Sequence, residues 1–95
     1  MSFKRLVTPS AKRFLKKLPT EAREALVDGT KILDENPYAG EKLSGSLHFL
    51  YSFHFKFRSV EYRIAYTIDN EKRAVIIHLV HTRENFYDKL RRLFK

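Results

Sequence analysis

The stretch from 47 to 58, LHFLYSFHFKFR, sets Phe53, Phe55 and Phe57 against Ser52, His54, Lys56 and Arg58. Alternation of this kind fits a β-strand, whose side chains point to opposite faces in turn. It predicts one apolar face and one polar, mostly basic face. The next segment, EYRIAYTID (61–69), repeats the pattern with Tyr62, Ile64, Tyr66 and Ile68 against Arg63, Ala65 and Thr67. DNEK (69–72) has the composition of a hairpin turn. AVIIHLV (74–80) is almost continuously apolar, which predicts a central strand covered on both faces. Three such segments in succession commit the C-terminal half to a meander.

The N-terminal half supplies helices to pack on it. FKRLVT (3–8) alternates enough for a short strand, and Pro9 and Ser10 then open a helix that Leu18 and Pro19 close. Phe14, Leu15 and Leu18 make its apolar stripe, while Lys12, Arg13, Lys16 and Lys17 form a basic outer face. Thr20 begins a second helix with Ala22, Ala25, Leu26, Ile32 and Leu33 on its buried side. Gly29 weakens that helix without needing to end it, and ENPYAG (35–40) stops it. The two helices form an antiparallel hairpin. The last stretch, 84–94, spaces Phe86, Leu90, Leu93 and Phe94 as one face of a short helix, with Lys89, Arg91, Arg92 and Lys95 at its basic end. The expected fold class is α+β: a small antiparallel-rich sheet in the order β-α-α-β-β-β-α, the helical hairpin on one face, and a C-terminal helix. A length of 95 residues suits one domain spanning 1–95.

Composition narrows the function. Eight Phe and five Tyr supply enough buried area for a core without staples, and there is no cysteine. That removes disulfides, thiolate metal sites and a cysteine nucleophile, and it fits a cytoplasmic protein. No apolar run approaches the roughly 18 residues of a membrane span, and no secretory segment opens the chain. Nineteen Lys and Arg against eleven Asp and Glu give a net charge of +8. A balance of this sign points to a polyanion such as RNA, or to an acidic protein partner.

The residues at the strand ends suggest which chemistry to consider. Cutting RNA through its own 2′-hydroxyl needs a proton acceptor, a cation for the charge growing on phosphorus, and an acid for the departing 5′ oxygen. Lys, Arg and His can fill these roles, so no metal and no cofactor are expected. His54, Lys56 and Arg58 share one face of the first meander strand, and Arg63 points to the same side from the next. His81, Arg83 and Tyr87 sit where the last strand passes into the final helix. Arg83 and Tyr87 stack on one helix face if the helix has begun by then. A solvated basic face accounts for Lys56 and Arg58 as well as RNA contact does. Arg63 also reads as an edge arginine, and Tyr87 as a ring packed at a helix start. His78 reads as a hydrogen-bonded core histidine, and Glu61 as a lone acid that pairs with Arg63. Gly-rich phosphate loops, metalloprotease and hydrolase motifs, and paired metal ligands are absent from the sequence.

With these residues in order, the chain resembles the RelE/ParE toxin superfamily of type II toxin–antitoxin systems. The likeness rests on the element order, on Lys42-Leu43-Ser44-Gly45, on Tyr62-Arg63-Ile64-Ala65-Tyr66, and on LVHTRENFYDKL (79–90). It implies a ribosome-dependent mRNA endoribonuclease of the RelE type, cutting by 2′-hydroxyl attack to leave a 2′,3′-cyclic phosphate. It implies that Arg63 and Lys56 hold the phosphate, that Tyr87 stacks on a base or assists proton transfer, and that Arg83 positions. His54 and His81 stand where the RelE pattern often has a lysine and an arginine. The change puts proton transfer on His81, because a lysine needs a strongly lowered pKa to act as base and a histidine does not. His54, Arg58 and Arg83 are the expected RNA contacts. The implied partners are ribosome, mRNA and a cognate antitoxin that folds on binding, in a heterotetramer. The alternatives are a ParE-like inhibitor of DNA gyrase without nuclease activity, and a non-toxic relic that only binds antitoxin.

Overall fold

The computed structural model describes residues 2–95. In chain order the elements are β1 (Lys4–Val7), α1 (Pro9–Lys16), α2 (Thr20–Gly29), α3 (Ile32–Glu35), β2 (Glu41–Lys42), β3 (Tyr51–Phe57), β4 (Val60–Asp69), β5 (Ala74–Thr82) and α4 (Phe86–Leu93). Single 3-10 turns lie at Pro37–Ala39 and Gly45–Leu47. The strands form one sheet in the order β1-β5-β4-β3-β2. β1 runs parallel to β5, and every other pairing is antiparallel. The α+β class and the meander match the sequence reading, with one strand more: β2, a two-residue edge beside β3.

Both faces of the sheet are covered. Ile64, Tyr66, Val75, Ile77 and Val80 pack with Ala11, Leu26 and Leu33 beneath the helical hairpin, with Phe53 and Phe55 against them. On the other face Ala65 and Leu79 meet Leu47, Leu50, Phe86 and Leu90, so α4 closes the second layer. β5 serves both layers, as its almost continuously apolar run predicts. It does so with a bulge: Ala65 pairs with Leu79 and Tyr66 with Ile77, which leaves His78 as the extra residue. His78 Nε2 lies 2.9 Å from Thr67 Oγ1, its ring meets Phe94 edge-on, and burial lowers its pKa. It is the hydrogen-bonded, partly buried histidine the sequence suggests.

The second helix departs from expectation. It breaks after Gly29, and Ile32 is exposed where its spacing predicts a buried position. The cause lies on β1. Arg5 Nη1 donates to the Val27 carbonyl at 2.7 Å and to Thr30 Oγ1 at 2.8 Å, and its Nε lies 2.8 Å from Asp34 Oδ1. The break lets the Val27 carbonyl and the Thr30 hydroxyl face this guanidinium while Thr30 Oγ1 donates to the Leu26 carbonyl, which satisfies acceptors that a helix end leaves without partners. α1 is capped as a short helix should be, with Thr8 Oγ1 accepting from Ala11 N–H and Pro9 in the first turn.

The β3–β4 connection is a two-residue turn, Arg58-Ser59, with φ of 50° and 70°. Positive φ at both centres is the turn geometry whose twist suits a tight hairpin. It carries Arg58 out of the strand: the guanidinium pairs with Glu21 on α2 and lies 5.0 Å from the Phe57 ring centroid. No helix among the described residues is long and apolar enough to cross a membrane.

Candidate functional site

Register builds the site. Arg63 on β4 is the direct partner of His54 on β3 and of His81 on β5. Facing residues in antiparallel strands project to the same side, so the three form a row across the sheet. A second row lies next to it. Lys56 pairs with Glu61, whose carbonyl accepts from the Arg83 N–H at 3.0 Å just past the end of β5. Six polar residues from three chain segments thus meet on the end of the sheet face that α4 only partly covers.

Arg63 is the centre. Its Nη1 donates to the Tyr87 hydroxyl at 3.0 Å, and its guanidinium carbon stands 5.8 Å from the Tyr87 ring centroid. Its Nε is buried and has no partner among the described residues. A cation half-sheltered from water, with a donor still to satisfy, interacts with an anion more strongly than one on an open surface. Tyr87 reaches it from the first turn of α4 and is itself 38% exposed, which leaves it accessible to a stacking base.

The histidines are held differently. His81 Nδ1 lies 3.3 Å from the Thr82 carbonyl, and its ring stands edge-on to Phe14 of α1 at 6.0 Å. His54 is exposed, with Nδ1 3.2 Å from Glu61 Oε1 and Nε2 3.6 Å from Glu41 Oε1. The second Glu61 oxygen is 3.6 Å from Arg83 Nη1. The hydrogen bond with His54 holds the Glu61 carboxyl below the usual carboxylate range, and Arg83, Arg63 and His54 add charge attraction that burial opposes. Lys56 is exposed and makes no ion pair among the described residues.

Of the residues singled out from sequence, His54, Lys56, Arg63, His81, Arg83 and Tyr87 converge. Arg58 does not, because the turn sends it to Glu21 on the opposite layer. Arg83 and Tyr87 do not stack on a helix face either: α4 begins at Phe86 after Asn85, whose left-handed φ of 63° turns the chain. Glu61 is the residue that sequence reasoning undervalues. It faces His54 and Arg83 rather than pairing simply with Arg63. A two-residue turn at Arg58-Ser59 fixes that register, so recognising the turn is what would reveal it.

One concavity borders the site and a larger one lies away from it. A pocket of about 400 Å³ beside Tyr87 is walled by Glu41, Lys42, Leu43, Ser44 and Arg91. A larger one, about 600 Å³, lies on the far layer along β1 and α2, where Arg5 is already committed to Asp34. Tyr87 is the converging residue that lines the first, together with Glu41, the neighbour of His54. Among the described residues no group of three or more His, Asp or Glu side chains is arranged to hold a metal ion.

A family model described as ParE-like toxin of type II bacterial toxin-antitoxin system matches residues 6–91. Among solved structures, the chain is similar to one in the toxin–antitoxin complex RelBE2 from Mycobacterium tuberculosis, at 30% identity and a TM-score of 0.73, covering 87% of this chain and 100% of that one. It is similar to the isolated E. coli RelE toxin at 26% identity and a TM-score of 0.68, covering 97% and 99%. A double arginine-to-alanine variant of E. coli RelE in the free state shares the fold, at 23% identity and a TM-score of 0.74, covering 95% and 93%. A search of curated protein sequences finds no match. The family match takes in every site residue from His54 to Tyr87, and the chain therefore belongs to the ParE-like toxins of type II bacterial toxin–antitoxin systems, on the fold shared with RelE.

Proposed function

We propose that this toxin is an mRNA endoribonuclease that acts on the ribosome, in the cytoplasm. It cuts by attack of the 2′-hydroxyl on the adjacent phosphate to leave a 2′,3′-cyclic phosphate. The observation that carries this reading is Arg63. It is a half-buried guanidinium with an unpartnered Nε, flanked in one row by His54 and His81 and roofed by Tyr87. Arg63 and Lys56 hold the phosphate and its developing charge. His81 transfers protons, Tyr87 stacks on a base or assists, and His54 and Arg83 hold the strand. Arg58, on the other layer, contacts RNA only beyond the cut. Lysine, arginine and histidine supply these roles without a cofactor. The mycobacterial relative is from a toxin–antitoxin complex, which supports a cognate antitoxin as this chain's neutralising partner; a heterotetramer is the assembly proposed for the pair.

The test is a reconstituted translation reaction with mRNA breaks mapped by primer extension. Breaks within codons that require ribosomes, and that disappear in Arg63→Ala and fade in His81→Ala, are the expected result. The family description favours a second reading, a ParE-like gyrase inhibitor with no chemistry of its own. Intact mRNA together with blocked gyrase supercoiling would establish that one instead. Intact mRNA and active gyrase would leave an antitoxin-binding relic.

A further inference from the structure

Building on the nuclease reading above, we propose that His54 is the second proton-transfer group of the site, working across Arg63 from His81, with Glu61 as its positioning carboxylate.

The row supplies the geometry. Neighbouring strands are about 4.8 Å apart, so residues on β3 and β5 that share a partner on β4 stand roughly 10 Å apart. His54 and His81 are such residues, with Arg63 midway. In-line displacement at phosphorus has the entering 2′ oxygen and the leaving 5′ oxygen on opposite sides. A phosphate seated on Arg63 would present one of these to each histidine. One histidine on one flank cannot serve both, whereas a pair can.

The hydrogen bonds set which ring nitrogen is free. An ionised carboxylate can only accept, so His54 Nδ1 carries the hydrogen toward Glu61, and Nε2 is left to meet substrate. The lowered Glu61 pKa supports that ionised state. His81 Nδ1 faces both the carbonyl and the hydroxyl of Thr82 at 3.3 Å; an Nδ1–H given to that carbonyl leaves Nε2 free to accept the substrate proton. The charged groups around His54 are Glu61 and Arg63 from β4, Glu41 from β2, Lys56 two residues along β3, and Arg83 beyond β5. Glu41 approaches Nε2 only to 3.6 Å, and its side chain is 80% exposed, so it can yield to an incoming nucleotide.

The ionised Glu61 is the natural partner of an imidazolium, which assigns the acid to His54 and the base to His81. The 2′-hydroxyl gives its proton to His81 as its oxygen bonds to phosphorus. The P–O5′ bond breaks as the His54 imidazolium gives a proton to the 5′ oxygen. The products are a 2′,3′-cyclic phosphate and a 5′-hydroxyl. The two histidines leave with exchanged protons and are reset by solvent.

The experiment is single-turnover cleavage on programmed ribosomes across pH, with ribosome binding measured by pelleting and folding by thermal melts. His54 lies at the sheet surface, so its variants are expected to melt like the wild type. His54→Gln should slow cleavage by about 100-fold or more at unchanged ribosome binding. Glu61→Gln should slow it less and move one limb of the pH profile to lower pH, and Glu61→Asp should restore that limb. His54→Lys keeps a cation and should not recover the rate. A wild type that cuts, an inert Arg63→Ala and a fully active His54→Gln would overturn the proposal alone. So would a His54→Lys variant with full rate and the wild-type profile, since His54 would then be only a cation. A wild type that never cuts overturns the nuclease reading and this proposal with it.

Discussion

Tyr66 ties the site's scaffold together. It is fully buried on β4, its hydroxyl donates to the Pro37 carbonyl at 2.7 Å, and it accepts from the Gly40 N–H at 3.1 Å. The chain passes so close that a Cβ on Gly40 would stand 2.5 Å from the Tyr66 hydroxyl and from the Ser52 carbonyl. Only glycine fits there. The next two residues are β2, which brings Glu41 to His54. Burial pushes the phenol up to about 12 from the usual 10, against the Gly40 hydrogen bond, with Tyr51 adding to the rise. Between those values the folded protein keeps a proton that the unfolded chain releases. Stability is therefore full below pH 10 and falls as pH rises toward 12, by up to roughly 3 kcal/mol. Tyr66→Phe should flatten that slope. It should also cost about 1–3 kcal/mol at neutral pH, because it leaves the Pro37 carbonyl and the Gly40 N–H unpaired. Urea melts of both proteins at neutral and alkaline pH measure the two effects. A slope that survives in the phenylalanine variant would assign it to other groups.

At the scale of elements, the β3–β4 hairpin sets the register of both polar rows, and its turn is strained. Ser59 has φ of 70°, a conformation that glycine adopts without penalty and serine does not. Ser59→Gly relieves left-handed strain of roughly 1–2 kcal/mol against a backbone-entropy cost of about 0.4–1 kcal/mol, so it should stabilise the protein by about 0.5–1 kcal/mol. For a domain of this size that is a rise in Tm of a few degrees. Cleavage, if the site is as proposed, should be unchanged, since no site residue shifts. An unchanged or lower Tm would mean that the strain is relieved elsewhere. This hairpin also marks how far the sequence can be read. The alternation of Phe53, Phe55 and Phe57 declares a strand because period two is a local property. The turn is not legible in the same way, because Arg58-Ser59 lacks the Asn-Gly type of signal that marks a left-handed pair. Hence sequence alone puts Arg58 on the wrong face and Glu61 beside the wrong neighbour. The break in the second helix is hidden for a related reason. It answers to Arg5, whose contact with Thr30 spans 25 positions, and no helical window contains both. The bulge at His78 is not legible either, since a single histidine in an otherwise apolar run marks a polar position but not an extra residue in the ladder.

Across the whole molecule the charge of +8 is unevenly used. Arg5, Lys31, Arg58, Arg83 and Arg91 each face a carboxylate. Lys12, Arg13, Lys16 and Lys17 lie along or just beyond α1 and form no ion pair among the described residues. Phe14 of the same helix reaches the His81 ring, so this basic helix borders the row that holds Arg63. The two sets of cations should therefore separate experimentally. Those on α1 act on a polyanion at long range and are screened by salt, whereas Arg63 acts at a fixed, sheltered point. On the nuclease reading proposed above, ribosome affinity should fall linearly as salt rises on logarithmic axes. Replacing Lys12, Lys16 and Lys17 by alanine should flatten that line, by roughly 0.7–0.9 for each phosphate no longer neutralised. Cleavage of already bound mRNA should stay at the wild-type rate. Arg63→Ala should do the reverse, leaving the slope nearly intact while abolishing cleavage. If the α1 variant keeps the wild-type slope, the unpaired lysines do not face the nucleic acid, and the basic surface would instead belong to a protein partner.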